Sequence, residues 1–286
     1  MAWPIHGSAW GRDERRDPMN RPNPSLLIGA AMVALLLLTA TAGPRLTHAD
    51  PLAIDLARVL ARPQPGHWLG CDSIGRDVLA RILAGARLSL AVSLAVVALS
   101  LVAGGVIGGS AALAGGRIDA LAMRLIDIVL AFPGFLLAIA LAAILGPGLA
   151  DLVIALTAMG WTGYARLVRG EILALREREY VAAARALGAG SGRLLLRHLI
   201  PGLAGPLAVR ATFGVGGIIV AEAALSFLGL GVPLPAPSWG NMLEAGRQFL
   251  LVAPGLTMAP GVAIGFAVLG FNLLGDGLAQ ALGQRN

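Results

Sequence analysis

The sequence predicts an all-α integral membrane protein with six transmembrane helices, and three observations lead there. Of 286 residues, 57% are hydrophobic and 13% charged, and the mean hydropathy of +0.77 is too apolar for a soluble domain of this length. The apolar residues come in continuous blocks, without the alternation that lipid-facing strands require. A bilayer core needs roughly 20 apolar helical residues, and six stretches supply them: 26–43, 88–114, 120–145, 149–168, 203–230 and 250–274.

Residues 1–25 are polar, with Arg12, Arg15, Arg16 and Arg21 ahead of the first apolar run. The excess of arginine places this tail, and so the N-terminus, in the cytoplasm. Leu26 to Leu38 followed by Ala40-Thr41-Ala42 also reads as a signal peptide with its cleavage site, but the five spans that follow favour retention as the first transmembrane helix. Residues 44–87 form an external segment. There Asp50, Asp55, Asp72 and Asp77 offset part of the charge of Arg45, Arg58, Arg62, Arg76, Arg81 and Arg87, and Ile74 to Leu90 has the spacing of an amphipathic helix leading into the second span.

A turn at Gly115, Gly116 and Arg117 falls inside, and one at Gly146, Pro147 and Gly148 outside. Pro133 should kink the third span, as Pro254 and Pro260 should the sixth. The loop with Pro233, Pro235, Pro237 and Trp239 returns outside, and the tail at Gln284 and Arg285 ends in the cytoplasm. Trp161 and Trp239 read as interfacial belt residues.

Charge and chemistry exclude several functions. The net charge is +6 and the pI about 11.0, yet much of this charge sits where membrane topology puts it, which argues against nucleic acid. Every basic residue is arginine; with no lysine the chain cannot build a P-loop or form a Schiff base. If ATP drives the molecule, another subunit binds it. Cys71 stands alone in the external segment, so it forms no intramolecular disulfide and is a candidate free thiol. His6, His48, His67 and His198 lack ligand spacing, which predicts no metal site. His198 reads best as a partner for the last carbonyls of its helix or for lipid headgroups. Neither H-E-x-x-H nor G-x-S-x-G occurs, and no catalytic residue is predicted.

Two carboxylates in apolar runs are candidates for the translocation path or its gate. Glu222 lies amid Ile218, Ile219, Val220, Ala223 and Ala224, where it either gates a path or locks helices through a buried pair or hydrogen bond. For Asp127, Arg124 one turn earlier makes a local pair the simpler reading.

The most informative stretch is an arginine-rich island between two apolar runs. Arg166, Arg169, Arg176, Arg178, Arg185, Arg193 and Arg197 stand against Glu171, Glu177 and Glu179, which predicts a cytoplasmic loop. A helix-forming run from Glu179 reaches Gly188, able to close it in the left-handed conformation; Ser191 suits the N-cap of a second short helix ending before Pro201. Ala182, Ala183, Ala184, Ala186 and Ala189 would let a docked partner approach the backbone closely.

Glu179-Tyr180-Val181 through Gly188, with the ending His198 to Pro201, resembles the EAA loop of bacterial ABC importer permeases. Within that family the chain is most similar to the second permease subunit of dipeptide, oligopeptide and nickel importers, from about Leu69 to Leu282. The motifs at Leu69 to Asp77, Leu130 to Pro133, Ala221 to Gly231, Pro237 to Met242 and Phe271 to Leu278 occur in the family's order. Two positions depart from the pattern: Ala182 replaces the glutamate that names the loop, and Cys71 replaces a threonine. The first removes an expected charged anchor.

The resemblance implies a type I importer fold in a bacterial plasma membrane, with a five-helix core over 88–280, the coupling loop 166–201 within it, and a tail at 281–286. It implies a second permease subunit as heterodimer partner, one or two ATP-binding cassette subunits that carry the ATP, and an extracytoplasmic solute-binding protein. Tyr180, Ala183, Ala184, Arg185, Leu187 and Gly188 would form the ATPase contact. The implied cargo is a dipeptide or oligopeptide, or alternatively nickel or its chelate. A self-contained secondary transporter or channel is the alternative from another class.

Overall fold

The computed structural model describes residues 23–47 and 49–283. Among them the secondary structure is helical, apart from two isolated bridges in the 60–77 segment. The terminal arginines and Gln284 lie outside the described residues.

The first helix, α1, spans Pro24–Leu46. It starts where the Asn23 side chain accepts a hydrogen bond from the Ser25 N–H at 3.1 Å, with proline in the first turn, where a missing N–H costs nothing. The Ala40-Thr41-Ala42 sequence lies inside this helix, and α1 packs along α10 and α2.

A single 37-residue helix, α2 (Val78–Ala114), replaces the expected amphipathic helix and second span. Asp77 sets its start by accepting from the Ala80 N–H at 2.7 Å; no break separates a surface portion from a membrane portion. Gly115 ends it with a φ of 63°.

The third expected span is broken. α3 (Gly116–Leu130) and α4 (Gly134–Leu145) meet at 81° around Pro133, because proline offers no N–H and its ring displaces the preceding residue from helical geometry.

α5 (Leu149–Arg176) lies against α2 along most of its length. A Cβ on Gly104 of α2 would stand 2.5 Å from the Trp161 carbonyl oxygen, and one on Gly108 would overlap that of Ala165. Small residues four apart thus bring the two backbones together, the way helices associate in lipid without a hydrophobic driving force between them. The six-span count is not reproduced by length and composition. Among the described residues four helices suffice (α1, α2, α10 and the run into Phe227), and the bent α3–α4 pair makes a fifth. α5 falls short because it carries Asp151 and Arg166 and a polar middle.

After α6 (Glu179–Ala186) comes α7 (Ser191–Leu194), a five-residue π-helical turn over Leu195–Leu199, and α8 (Ile200–Phe227). The expected short helix does not end before Pro201. It continues, because Pro201 occupies the first turn of α8, and the Ile200 N–H reaches back five residues to the Leu195 carbonyl. A widened turn accommodates a proline that would otherwise interrupt the ladder. The Gly190 carbonyl accepts the first bond of α7, from Leu194 N–H at 3.0 Å, so Ser191 lies just inside the helix.

The proline-rich loop holds a helix the sequence did not reveal, α9 (Trp239–Gly246), capped by Ser238. Trp239 is no belt residue: it is 1% exposed, and its indole N–H donates to the Ile82 carbonyl at 3.0 Å. Trp161 is half-buried. The last helix, α10 (Gly255–Gly283), begins after Pro254 and accommodates Pro260 near its start.

One apolar core runs through α1, α2, α5, α8, α9 and α10, and a smaller one joins Ala112, Val168, Ile172, Val181, Leu194, Leu199 and Leu203. The bundle therefore has two unlike ends: an island end at α6 and α7, and a cap end formed by residues 49–77 with α9.

Candidate functional site

At the island end, α6 closes as its sequence predicts. The Leu187 N–H donates to Ala183 and the Ala189 N–H to Ala184, both at 3.0 Å, with Gly188 at a φ of 82°. This is the six-to-one closure in which a left-handed residue reverses the chain, and Ala184 and Ala189, on either side of it, both pack against the small core. A Cβ at Gly188 would meet nothing within 4 Å. Its constraint is backbone conformation, with room for a side chain.

The hinge has an anchored face and an open one. Val181 is fully buried in the small core, against Val168 and Ile172 of α5 and Leu203 of α8. Leu187 is 89% and Tyr180 48% exposed; Ala182, Ala183 and Gly188 are exposed beside them, and Ala184 is half-buried. Tyr180 also packs near His198, ring centroids 6.3 Å apart and tilted by 47°; that aromatic contact, not a carbonyl cap, is what the structure gives His198. The Arg185 side chain lies outside what the structure describes.

Several island arginines tie neighbouring helices together. Arg169 of α5 forms a two-pronged ion pair with Asp119 of α3, its second contact at 2.6 Å. Arg176 donates to the Ala112 carbonyl at 2.6 Å, satisfying a free carbonyl in the last turn of α2. Asp127 does not pair with Arg124: its carboxylate meets Arg166 of α5 at 2.5 Å, with both side chains at least half exposed. The arginine that α5 brings alongside α3 takes the place of the one a turn earlier on α3 itself.

Glu222 is fully buried. Ser89 of α2 donates to its Oε2 at 3.0 Å and Ser226, one turn later on α8, to its Oε1 at 2.9 Å. Among the described residues no arginine pairs with it. The carboxylate thus joins α2 to α8 beneath α9, whose Gly240 sits so close that a Cβ there would be 2.5 Å from Ser226. Ser226 was legible as the i+4 neighbour of Glu222. Ser89, 133 residues away, left no local signal.

At the cap end Arg58, Arg76 and Arg81 are held by aspartates. Asp72 accepts from the N–H groups of Ile74 and Arg76 and meets the Arg76 guanidinium at 2.7 Å and that of Arg81 at 3.6 Å. His67 meets Asp77 at 2.7 Å and also contacts Arg58. Cys71 is not an accessible thiol. It is 2% exposed, and burial, followed by the negative charge of Asp77, pushes its thiol pKa up.

Comparison with known proteins decides the family. Residues 101–286 match the family described as binding-protein-dependent transport system inner membrane component. The chain belongs to this family. It is 42% identical over 262 residues to the dipeptide transport system permease protein DppC of Alkalihalophilus pseudofirmus, covering 92% of this chain and 86% of that one. It is 40% identical over 258 residues to the nickel transport system permease protein NikC of Escherichia coli, covering 90% and 93%. With the glutathione transport system permease protein GsiD of Pectobacterium atrosepticum it shares 43% over 228 residues, covering 80% and 76%. The match of residues 101–286 takes in the hinge, Glu222 and α9.

Proposed function

We propose that this chain is a non-catalytic permease subunit of an ATP-driven importer of dipeptides or oligopeptides in a bacterial plasma membrane, with its N-terminus and island in the cytoplasm. A second permease subunit would complete the path, one or two ATP-binding cassette subunits would carry the ATP, and an extracytoplasmic binding protein would deliver the cargo. The observation that carries this reading is the hinge at Gly188. An apolar side chain as exposed as Leu187, held on a helix whose opposite side is anchored through Val181, is a surface for a partner. Tyr180, Ala183, Ala184, Arg185, Leu187 and Gly188 form the contact.

The mechanism follows from continuity. When the ATPase dimer closes, α6 moves; Val181 transmits the displacement to α5 and α8, and the run from Ser191 to Phe227 transmits it along the bundle, since packed helices shift as units. Gly188→Val tests it. A β-branched residue at a left-handed position costs roughly 1–2 kcal/mol or more, so the variant should insert and assemble yet hydrolyse ATP with little uptake. Normal uptake by that variant would overturn the lever.

Similarity to the nickel permease favours a second reading, with nickel or a nickel chelate as cargo. Competing Ni²⁺ against dipeptides in uptake by the assembled importer separates the two. Uptake by this chain alone, without any ATPase, would instead mark a self-contained transporter or channel.

A further inference from the structure

The first helix leans across the bundle. In the island half α1 lies against α10: a Cβ on Gly29 would overlap the Leu274 backbone, and one on Gly270 would stand 3.0 Å from Met32. In the cap half it meets α2, where a Cβ on Gly43 would stand 2.8 Å from Leu83. Helices that touch in pairs at opposite ends leave a wedge between them. Here the wedge is a groove of about 670 Å³ bounded by α1, α2, α10 and Trp239, a volume in the range of ligand sites. Pro63 and Leu69 of the cap segment line its upper end.

The wall is apolar except at Thr39 and the Trp239 indole N–H, and both of these are already used. Thr39 donates to the Leu36 carbonyl at 2.9 Å, and the indole to Ile82. The wall therefore offers no polar group to a peptide or a metal ion. On α10 the lining runs from Gly255 to Phe266, a rise of about 16 Å, which is close to half of a bilayer core about 30 Å thick. A partner's transmembrane helix needs a groove through both leaflets; this one closes one turn on, where Met32 meets Gly270. Met258 and Val262 stay exposed along it, so an apolar occupant has surface to cover.

The cap end around the groove has the chemistry of a membrane boundary. Trp68, Leu251 and Val252 are exposed there. Arg62, next to Pro63, is exposed as well, and among the described residues it takes part in no ion pair.

We propose that this groove holds an acyl chain of one phospholipid from the cap-side leaflet, with the lipid phosphate on Arg62. A guanidinium grips phosphate through paired hydrogen bonds, and the chain supplies the contacts that α1 and α10 do not make with each other in this half. The lipid thereby packs the first helix against the last. The site goes beyond the import reading and is the same for any cargo.

The test extracts the assembled importer in a mild detergent, washes it and weighs it intact by native mass spectrometry. Ala259→Phe and Ala263→Phe fill the groove; Leu269→Phe, on an exposed part of α10 outside it, is the control. Wild type and Leu269→Phe should carry one phospholipid more than either filled variant. Arg62→Gln should retain that lipid about tenfold less on washing, the worth of a charge-assisted contact. Equal lipid in wild type and the filled variants overturns the proposal. So does full retention by Arg62→Gln, a surface change that leaves the core intact. Loss of the partner permease from the filled variants, with this chain still folded, overturns it in favour of a subunit contact.

Discussion

The two ends of this bundle are built on opposite principles. At the cap end Trp239, Glu222, Cys71 and Arg81 are all buried, and Asp72, Asp77, Ser89 and Ser226 use their hydrogen-bonding capacity inside the protein. At the island end the hinge leaves Leu187 and Tyr180 in the open, and the ion pair between Arg166 and Asp127 is at least half exposed. The cap end pairs its buried polar groups within the chain while leaving Ile54, Leu56 and Trp68 exposed; the island end exposes the face of its hinge. The contrast fits a machine driven from one side, whose far end must hold its shape while the near end is gripped.

That contrast ranks the expected effects. Trp239→Ala, which empties a core site and removes the bond to Ile82, should destabilise the detergent-purified protein by about 3–5 kcal/mol while ATPase subunits still co-purify. Loss of that association would mean that the two ends are not separable. Glu222→Ala leaves two buried hydroxyls without their acceptor, at about 1–3 kcal/mol each, and should lower the thermal unfolding midpoint by several degrees; Glu222→Gln should recover most of the loss. If the alanine variant unfolds with wild type, the lock is not structural.

Smaller effects belong to the island end. Removing the two-pronged pair with Asp119→Ala should cost about 1 kcal/mol, and Asp127→Ala less than about 1 kcal/mol, because its pair is exposed. A larger loss from Asp127 than from Asp119, in the same unfolding assay, would reverse the order of burial. Smallest of all, a thiol reagent should label Cys71 slowly in the folded protein and rapidly after denaturation, with the folded rate rising only toward alkaline pH because the raised pKa keeps the thiol protonated. Fast labelling near neutral pH would show that the cap end opens.

Much of this was legible along the chain, and the particular residues show why. Gly188 was readable because helix closure depends on a few consecutive residues, and only glycine adopts that φ cheaply. The break at Pro133 was readable for the same reason, though not its angle of 81°. The merging of the amphipathic helix with the second span was not. Asp77 could be seen as a cap only once the 60–77 segment was folded around it. Trp239 was misplaced because an aromatic near a membrane boundary reads the same whether it faces headgroups or a groove between α2 and α9.

The sequence by itself determined residence in a membrane, helical architecture and the hinge between α6 and α7. Those properties follow from composition, from periodicity and from backbone preferences that act within a turn or two. Only the tertiary structure decided which arginine meets Asp127, that serines from two helices hold Glu222, and that Arg210 lies over the ring of Tyr164. Such pairings depend on helices that are distant in sequence and adjacent in space, and pairing energies of this kind leave no period for a linear reading to find.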